Sequence, residues 1–153
     1  MSDKNKSNLL VSIQFLLLVV IIGVPLPRSG ESFPDWVVGV GSVMVWVGLV
    51  ILALSIFKLG GSLTASPIPK NDSELKTDGL YKWMRHPIYS GLIATGLGLA
   101  IESESLLNLL VAVALIALLN YKAKWEESFL LERYPEYRTY MSKTGRFVPR
   151  LNR

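Results

Sequence analysis

Four stretches of this chain carry no charged residue: 9–27, 36–57, 87–101 and 105–121. A soluble domain scatters charges along each element to keep one face wet. Here the Lys, Arg, Asp and Glu residues are packed into the gaps. That pattern excludes an ordinary soluble enzyme and a disordered chain. With no cysteine, a disulfide-stapled module, a cysteine nucleophile and thiolate metal ligands are excluded too. A single histidine argues against a multi-histidine metal site, and no metal is expected.

A bilayer core about 30 Å thick needs about 20 helical residues. Leu9–Pro27 and Trp36–Phe57 are long enough. The first run is long for a signal peptide, and Val24-Pro25-Leu26-Pro27 is a poor small-residue cleavage site, so it is read as a span. Pro87–Ile101 and Ser105–Tyr121 are shorter, and only Glu102, Ser103 and Glu104 part them. They read as a tight helical hairpin with its tip near Ser103. The expected fold is all-α: a polytopic membrane bundle of four transmembrane helices with a C-terminal helical segment on the cytoplasmic side. Residues 1–153 form one domain, with two spans and a loop in 1–74 and the hairpin and a lid in 75–153. On this topology fifteen of sixteen basic residues share one side, Arg28 lying opposite, which puts both termini in the cytoplasm. The basic residues form no separate domain, so a nucleic-acid partner is not expected. Gly39, Gly41, Ser42 and Gly48 give the second span a surface for close helix contact.

The residues capable of chemistry cluster on the cytoplasmic side of the hairpin, in 77–91 and 125–149. With the tip at 103, residue i lies level with about 206 − i, so His86 falls level with Asn120, Arg85 with Tyr121 and Tyr81 with Trp125. Glu126 and Glu127 then lie about two turns further out. The last long helix should run to Arg133 and break at Tyr134, before Pro135. Pro135 can open a helix ending near Gly145, carrying Tyr137 and Tyr140 back over the rim as a lid. Singly, each residue has a plain structural reading. Arg85 and Lys82 suit snorkelling anchors, Trp83, Tyr121 and Trp125 an aromatic belt, Pro87 a helix start, and the glutamates a solvated face. Their convergence at one depth on adjacent helices favours a site.

The run Gly79-x-Tyr81-x-x-x-Arg85-His86-Pro87-x-Tyr89-x-Gly91, with Gly96 beyond, resembles the signature of isoprenylcysteine carboxyl methyltransferases. Phospholipid N-methyltransferases carry a related pattern. Glu126-Glu127-x-x-Leu130-x-x-x-Tyr134, then Tyr137, Tyr140, Arg146 and Pro149, resembles the family's second block, which usually has an aromatic-glycine pair where this chain has Tyr134-Pro135. The resemblance covers residues 75–150. It implies an integral-membrane methyltransferase using S-adenosylmethionine, with a lipophilic or lipid acceptor. By the same resemblance Tyr81, Arg85, His86, Pro87, Tyr89, Gly91, Gly96, Glu126 and Glu127 line the cofactor pocket. Arg85 then suits the cofactor's carboxylate, and either glutamate its ribose or ammonium. Tyr81, Tyr89 or Trp125 suits its sulfonium, and Arg138 or Arg146 suits orienting an acceptor. Membrane sterol-type reductases, which bind NADPH, resemble the same region but are much longer. A non-enzymatic accessory protein of this fold is the third reading.

Overall fold

The computed structural model describes residues 2–30, 32–69 and 75–150. Lys70 and Arg153, counted above among the basic residues, and the boundary at residue 74 lie outside them. Five α-helices account for most of the chain, and the described residues form no strand. Helix α1 is Asp3–Gly23, α2 Asp35–Leu59, α3 Pro87–Glu102, α4 Leu106–Arg133 and α5 Tyr137–Lys143. Three of these, α1, α2 and α4, are long and apolar enough to cross a bilayer. At sixteen residues α3 is apolar but shorter.

Local chemistry sets the boundaries. The Ser2 side chain accepts from the Asn5 amide, so α1 begins six residues before the uncharged run does. It ends at Gly23 rather than Pro27, because Val24 precedes a proline and turns extended. Pro87 opens α3 at a position where its missing N–H is no loss. Ser105 caps α4 by accepting from the Asn108 amide. Tyr134 is extended and stops α4 where the following proline requires. Helix α5 is shorter than expected at both ends. Pro135 and Glu136 form a turn before it, and Thr144 goes extended because the next residues pair with another segment.

Helices α2 and α3 pack backbone to backbone. A Cβ on Gly48 would sit 2.8 Å from the Gly91 carbonyl oxygen, and one on Gly91 would sit 2.8 Å from that of Gly48. Seven residues along each helix, Gly41 and Gly98 repeat the arrangement, with a Cβ on Gly41 falling 3.0 Å from the Gly98 oxygen. Small residues matched at this spacing let two apolar helices bring many atoms within dispersion range. Gly39 meets nothing and plays no part. Helix α4 packs on α1 and α3 through Ile21, Leu115, Leu119 and Ala112.

The residues between α3 and α4 are not a free tip. Glu104 accepts from the Phe33 amide through its side chain at 3.0 Å and from the Ser29 amide through its carbonyl at 2.8 Å. Glu102 accepts from the Ser42 hydroxyl. Glu104 thereby ties the α1–α2 connection to the α3–α4 turn, and Glu102 joins the end of α3 to α2. Phe15, Leu16, Val19, Val43, Trp46, Val50, Leu110 and Val113 point outward, exposed. A soluble monomer does not leave so broad an apolar surface uncovered, whereas lipid covers it without penalty.

Replacing Gly98 with Val should force α2 and α3 apart and cost about 2 kcal/mol or more. Gly39→Ala should stay within about 0.5 kcal/mol of the parent. Thermal unfolding of the two variants in detergent checks the pair.

Candidate functional site

The site lies at the end of the bundle where α3 begins and α4 ends. Gly79, with φ +59°, starts a 3-10 turn through Lys82, a backbone conformation that favours glycine. Residues 83–86 then run beside the chain after α5. The Arg85 amide donates to the Gly145 carbonyl at 2.9 Å, the His86 amide to the Arg146 carbonyl at 3.1 Å, and the Gly145 amide to the Trp83 carbonyl at 3.3 Å. The Ser90 hydroxyl donates to the Phe147 carbonyl at 2.6 Å. This lacing ends α5 and draws the C-terminal segment onto the start of α3.

Beneath it lies Glu127, buried on α4. Its Oε1 accepts from Arg85 Nε at 2.9 Å, Arg146 Nε at 3.2 Å and His86 Nε2 at 3.3 Å, and its Oε2 from Arg146 Nη2 at 2.7 Å. Arg146 thus binds the carboxylate two-pronged, a strong and directional arrangement. It also donates to Asn120 Oδ1 at 3.1 Å. Arg85 Nη1 donates to the Met141 carbonyl at 3.1 Å and to that of Thr144, a cation seated on the last carbonyls of α5. Nη2 is the one Arg85 nitrogen without a bond among the described residues.

Glu126 plays a different part. It receives the Tyr89 hydroxyl on Oε2 at 2.9 Å, and His86 Nδ1 lies 3.7 Å from the same oxygen. The Tyr89 ring stacks on His86 at 5.3 Å between centroids and 3° between planes. The acidic pair therefore meets Arg85, His86 and Tyr89 directly, where an equal count from the tip puts it two turns away. Helical side chains lean toward the N-terminus of their own helix. Tyr89 consequently leans toward the start of α3, and Glu126 back along α4, so the two converge. Arg85 and His86 precede the helix and reach the pair from outside it.

A cavity opens beside this cluster, with about 830 Å³ of atom-free space counting its open mouth. Tyr81, Arg85, His86, Pro87, Tyr89 and Glu126 line it, together with Tyr134, Tyr137 and Tyr140. Glu127 stands behind the wall, with both oxygens engaged by the arginines and the histidine. Gly91 faces α2 and Gly96 faces Leu115 and Ile21, so both shape helix contacts and neither lines the cavity. Arg138 is exposed and away from it, and Arg146 serves Glu127. Trp125 packs against Lys6 and Phe129 instead of the cavity. Sequence reasoning missed Leu59 at the end of α2, and Thr64, Ser66, Leu75 and Lys76, which come from a loop with no periodicity to betray its position.

Burial raises the Tyr81 phenol above its ordinary range, and the Glu126 charge adds to it. Tyr137 is raised by burial and then by Glu127. Burial likewise pushes Tyr140 up to about 12, against the opposing pull of Arg85. The Tyr140 hydroxyl donates to the Tyr81 carbonyl at 2.5 Å, so α5 is fastened to the 3-10 turn. The Tyr137 hydroxyl is buried with no hydrogen-bond partner among the described residues.

Residues 36–137 match the family model described as phospholipid methyltransferase. The chain belongs to that family. It is 32% identical over 155 residues to a probable protein-S-isoprenylcysteine O-methyltransferase of Oryza sativa subsp. indica, covering 94% of this chain and 80% of the rice protein. An uncharacterized protein of Schizosaccharomyces pombe is 40% identical over 80 residues, 48% of this chain but only 23% of that protein. A cobalt-zinc-cadmium resistance protein of Cupriavidus metallidurans is 35% identical over 85 residues, 54% of this chain and 39% of its own length. The family and the apolar helices together fit a multi-pass membrane methyltransferase.

Glu127→Gln should leave both arginines short of a charge partner and cost about 3 kcal/mol. It should also free the C-terminal segment, read as faster tryptic cleavage after Arg138 and Lys143. Alkaline pH supplies a separate check. A phenol held protonated in the folded state stabilises fully below the unfolded pKa of about 10, and that stability is lost as pH rises toward the folded value. Unfolding free energy should therefore decline between about pH 10 and the Tyr140 value of about 12, and Tyr140→Phe should flatten the decline.

Proposed function

We propose that this chain transfers a methyl group from S-adenosylmethionine to a lipophilic acceptor at the membrane. The observation that carries the reading is the polar and aromatic set around the cavity. Glu126 Oε1 has no partner among the described residues, in a space lined by five tyrosines. That set fits this donor, which brings a sulfonium, a ribose diol, an amino-acid group and an adenine. When bound it supplies a methyl group on a positively charged sulfur with a neutral thioether as leaving group.

The residues of this chain then bind, orient and exclude water. Glu126 accepts from the diol or ammonium, held in place by Tyr89. Arg85 Nη2 is available to the carboxylate. The faces of Tyr81, Tyr137 or Tyr140 suit the cation, a contact worth about 0.5–2 kcal/mol. Leu59, Ile88 and Leu130 give the cavity an apolar side for the acceptor. A carboxylate acceptor attacks through oxygen as the sulfur–carbon bond breaks, becoming a methyl ester with no proton to move. Alignment and dryness are therefore what the site must provide. The rice relative's name makes a prenylcysteine carboxylate the first acceptor to test. In this reading α3, backed by α2, serves as a fourth span, residues 1–153 act as one domain, and the basic asymmetry places both termini in the cytoplasm.

S-adenosylhomocysteine should raise the unfolding temperature of the detergent-solubilised protein, since a ligand of the native state stabilises it, and NADPH should not. Glu126→Gln should weaken that binding about tenfold, the loss of one charged hydrogen bond, while Arg138→Ala leaves it unchanged. Stabilisation by NADPH alone would favour the reductase reading, and no response to either would overturn the methyl-donor site. Labelled-methyl transfer to prenylcysteine analogues, phosphatidylethanolamine and thiols then identifies the acceptor.

A further inference from the structure

Lys122 is one of the fifteen basic residues counted above on one side of the membrane, yet it is completely buried. It sits on α4, one turn before Glu126. Its ammonium donates to Gln14 Oε1 on α1 at 2.5 Å and to the Ala65 carbonyl at 2.9 Å, and lies 5.5 Å from the Tyr89 ring centroid. An ammonium enclosed in an apolar bundle is costly, and a methionine of similar length would fill the place without that cost. What the charge organises is the segment 63–69. Thr64 and Ser66, on either side of Ala65, line the cavity. Ser66 is bonded to Ser7 of α1 at 2.8 Å between hydroxyl oxygens and accepts from the Ile68 amide at 3.0 Å, and Pro67 is fully buried. Ser7 and Gln14, seven residues apart, share one face of α1. Both are directed to this segment and its lysine.

We infer that Lys122 is a positioning residue: with Gln14 it fixes residues 63–69 as part of the cavity wall. Helix α1 contributes no residue to the lining and acts on the site through this contact. The lysine also backs the ring whose hydroxyl holds Glu126, so one ammonium sets two sides of the same space. The structural assignment stands on contacts alone. Only its effect on ligand affinity rests on the methyl-donor reading.

The chain has no cysteine, so Thr64→Cys supplies a single thiol, half-buried on the cavity wall. Maleimide labelling of that protein, without ligand, reports how often the segment leaves its place. Adding Lys122→Met should accelerate labelling about tenfold, the population change that losing one charged hydrogen bond implies. Lys122→Arg, which keeps charge and donors, should restore a rate near the parent's. In the cysteine-free protein, Lys122→Met should raise the dissociation constant of S-adenosylhomocysteine by a similar factor, with rescue by arginine. Equal labelling rates for lysine and methionine would overturn the proposal, as would failure of arginine to slow the methionine rate. Should Lys122→Met not fold, Gln14→Leu takes its place with the same expectation, and an unchanged rate there is equally decisive against it. Accelerated labelling without S-adenosylhomocysteine binding in any variant, the parent included, would uphold the positioning role and reject the methyl donor.

Discussion

A carboxylate surrounded by two arginines and a histidine governs this structure. Glu127 is buried at the end of an apolar helix, where an unpaired charge is prohibitively costly. Arg85, His86 and Arg146 come from two segments about sixty residues apart in sequence, and each must close on it. Once they do, residues 83–86 lie against 145–146, Arg85 reaches the last carbonyls of α5, and the tyrosines of α5 face the cavity. The cluster's value lies in specifying one arrangement of the two segments, with both oxygens of Glu127 engaged by the arginines and the histidine.

The division of labour between the adjacent glutamates follows from helix geometry. Successive residues differ by about 100° around an α-helix, so Glu126 and Glu127 cannot serve the same neighbours. One faces the arginines and one the cavity. Close contact between α2 and α3 through Gly41, Gly48, Gly91 and Gly98 supports the other side. Because lipid gives apolar helices no hydrophobic reason to associate, such tight contact supplies the attraction instead.

Much of this was legible in the residues. The uncharged runs mark the apolar helices, Pro87 marks the start of α3, and Tyr134-Pro135 marks the end of α4. The two motif blocks do meet, as Arg85, His86, Tyr89, Glu126 and Glu127 show. Their depth was misjudged, since counting residues from the turn ignores the lean of helical side chains. Gly91 and Gly96 belong to a motif block yet serve helix packing, because a small residue is as useful against a neighbouring helix as against a ligand. Lys122 was counted with the basic residues of one side, and nothing in its own neighbourhood distinguishes it. Its partners, Gln14 and Ala65, lie 108 and 57 residues away.

The sequence by itself determined that the chain is helical and apolar, where its long helices begin and stop, and which residue types gather near the ends of α3 and α4. Those properties depend on neighbours a few residues apart, through propensity, capping and charge patterning. Only the tertiary structure decided that Glu126 faces the cavity and Glu127 does not, that Arg146 and Arg85 bind a glutamate, and that a loop beyond α2 lines the cavity. Those outcomes depend on which distant groups satisfy one another's charges and hydrogen bonds, and a one-dimensional pattern carries no record of that pairing.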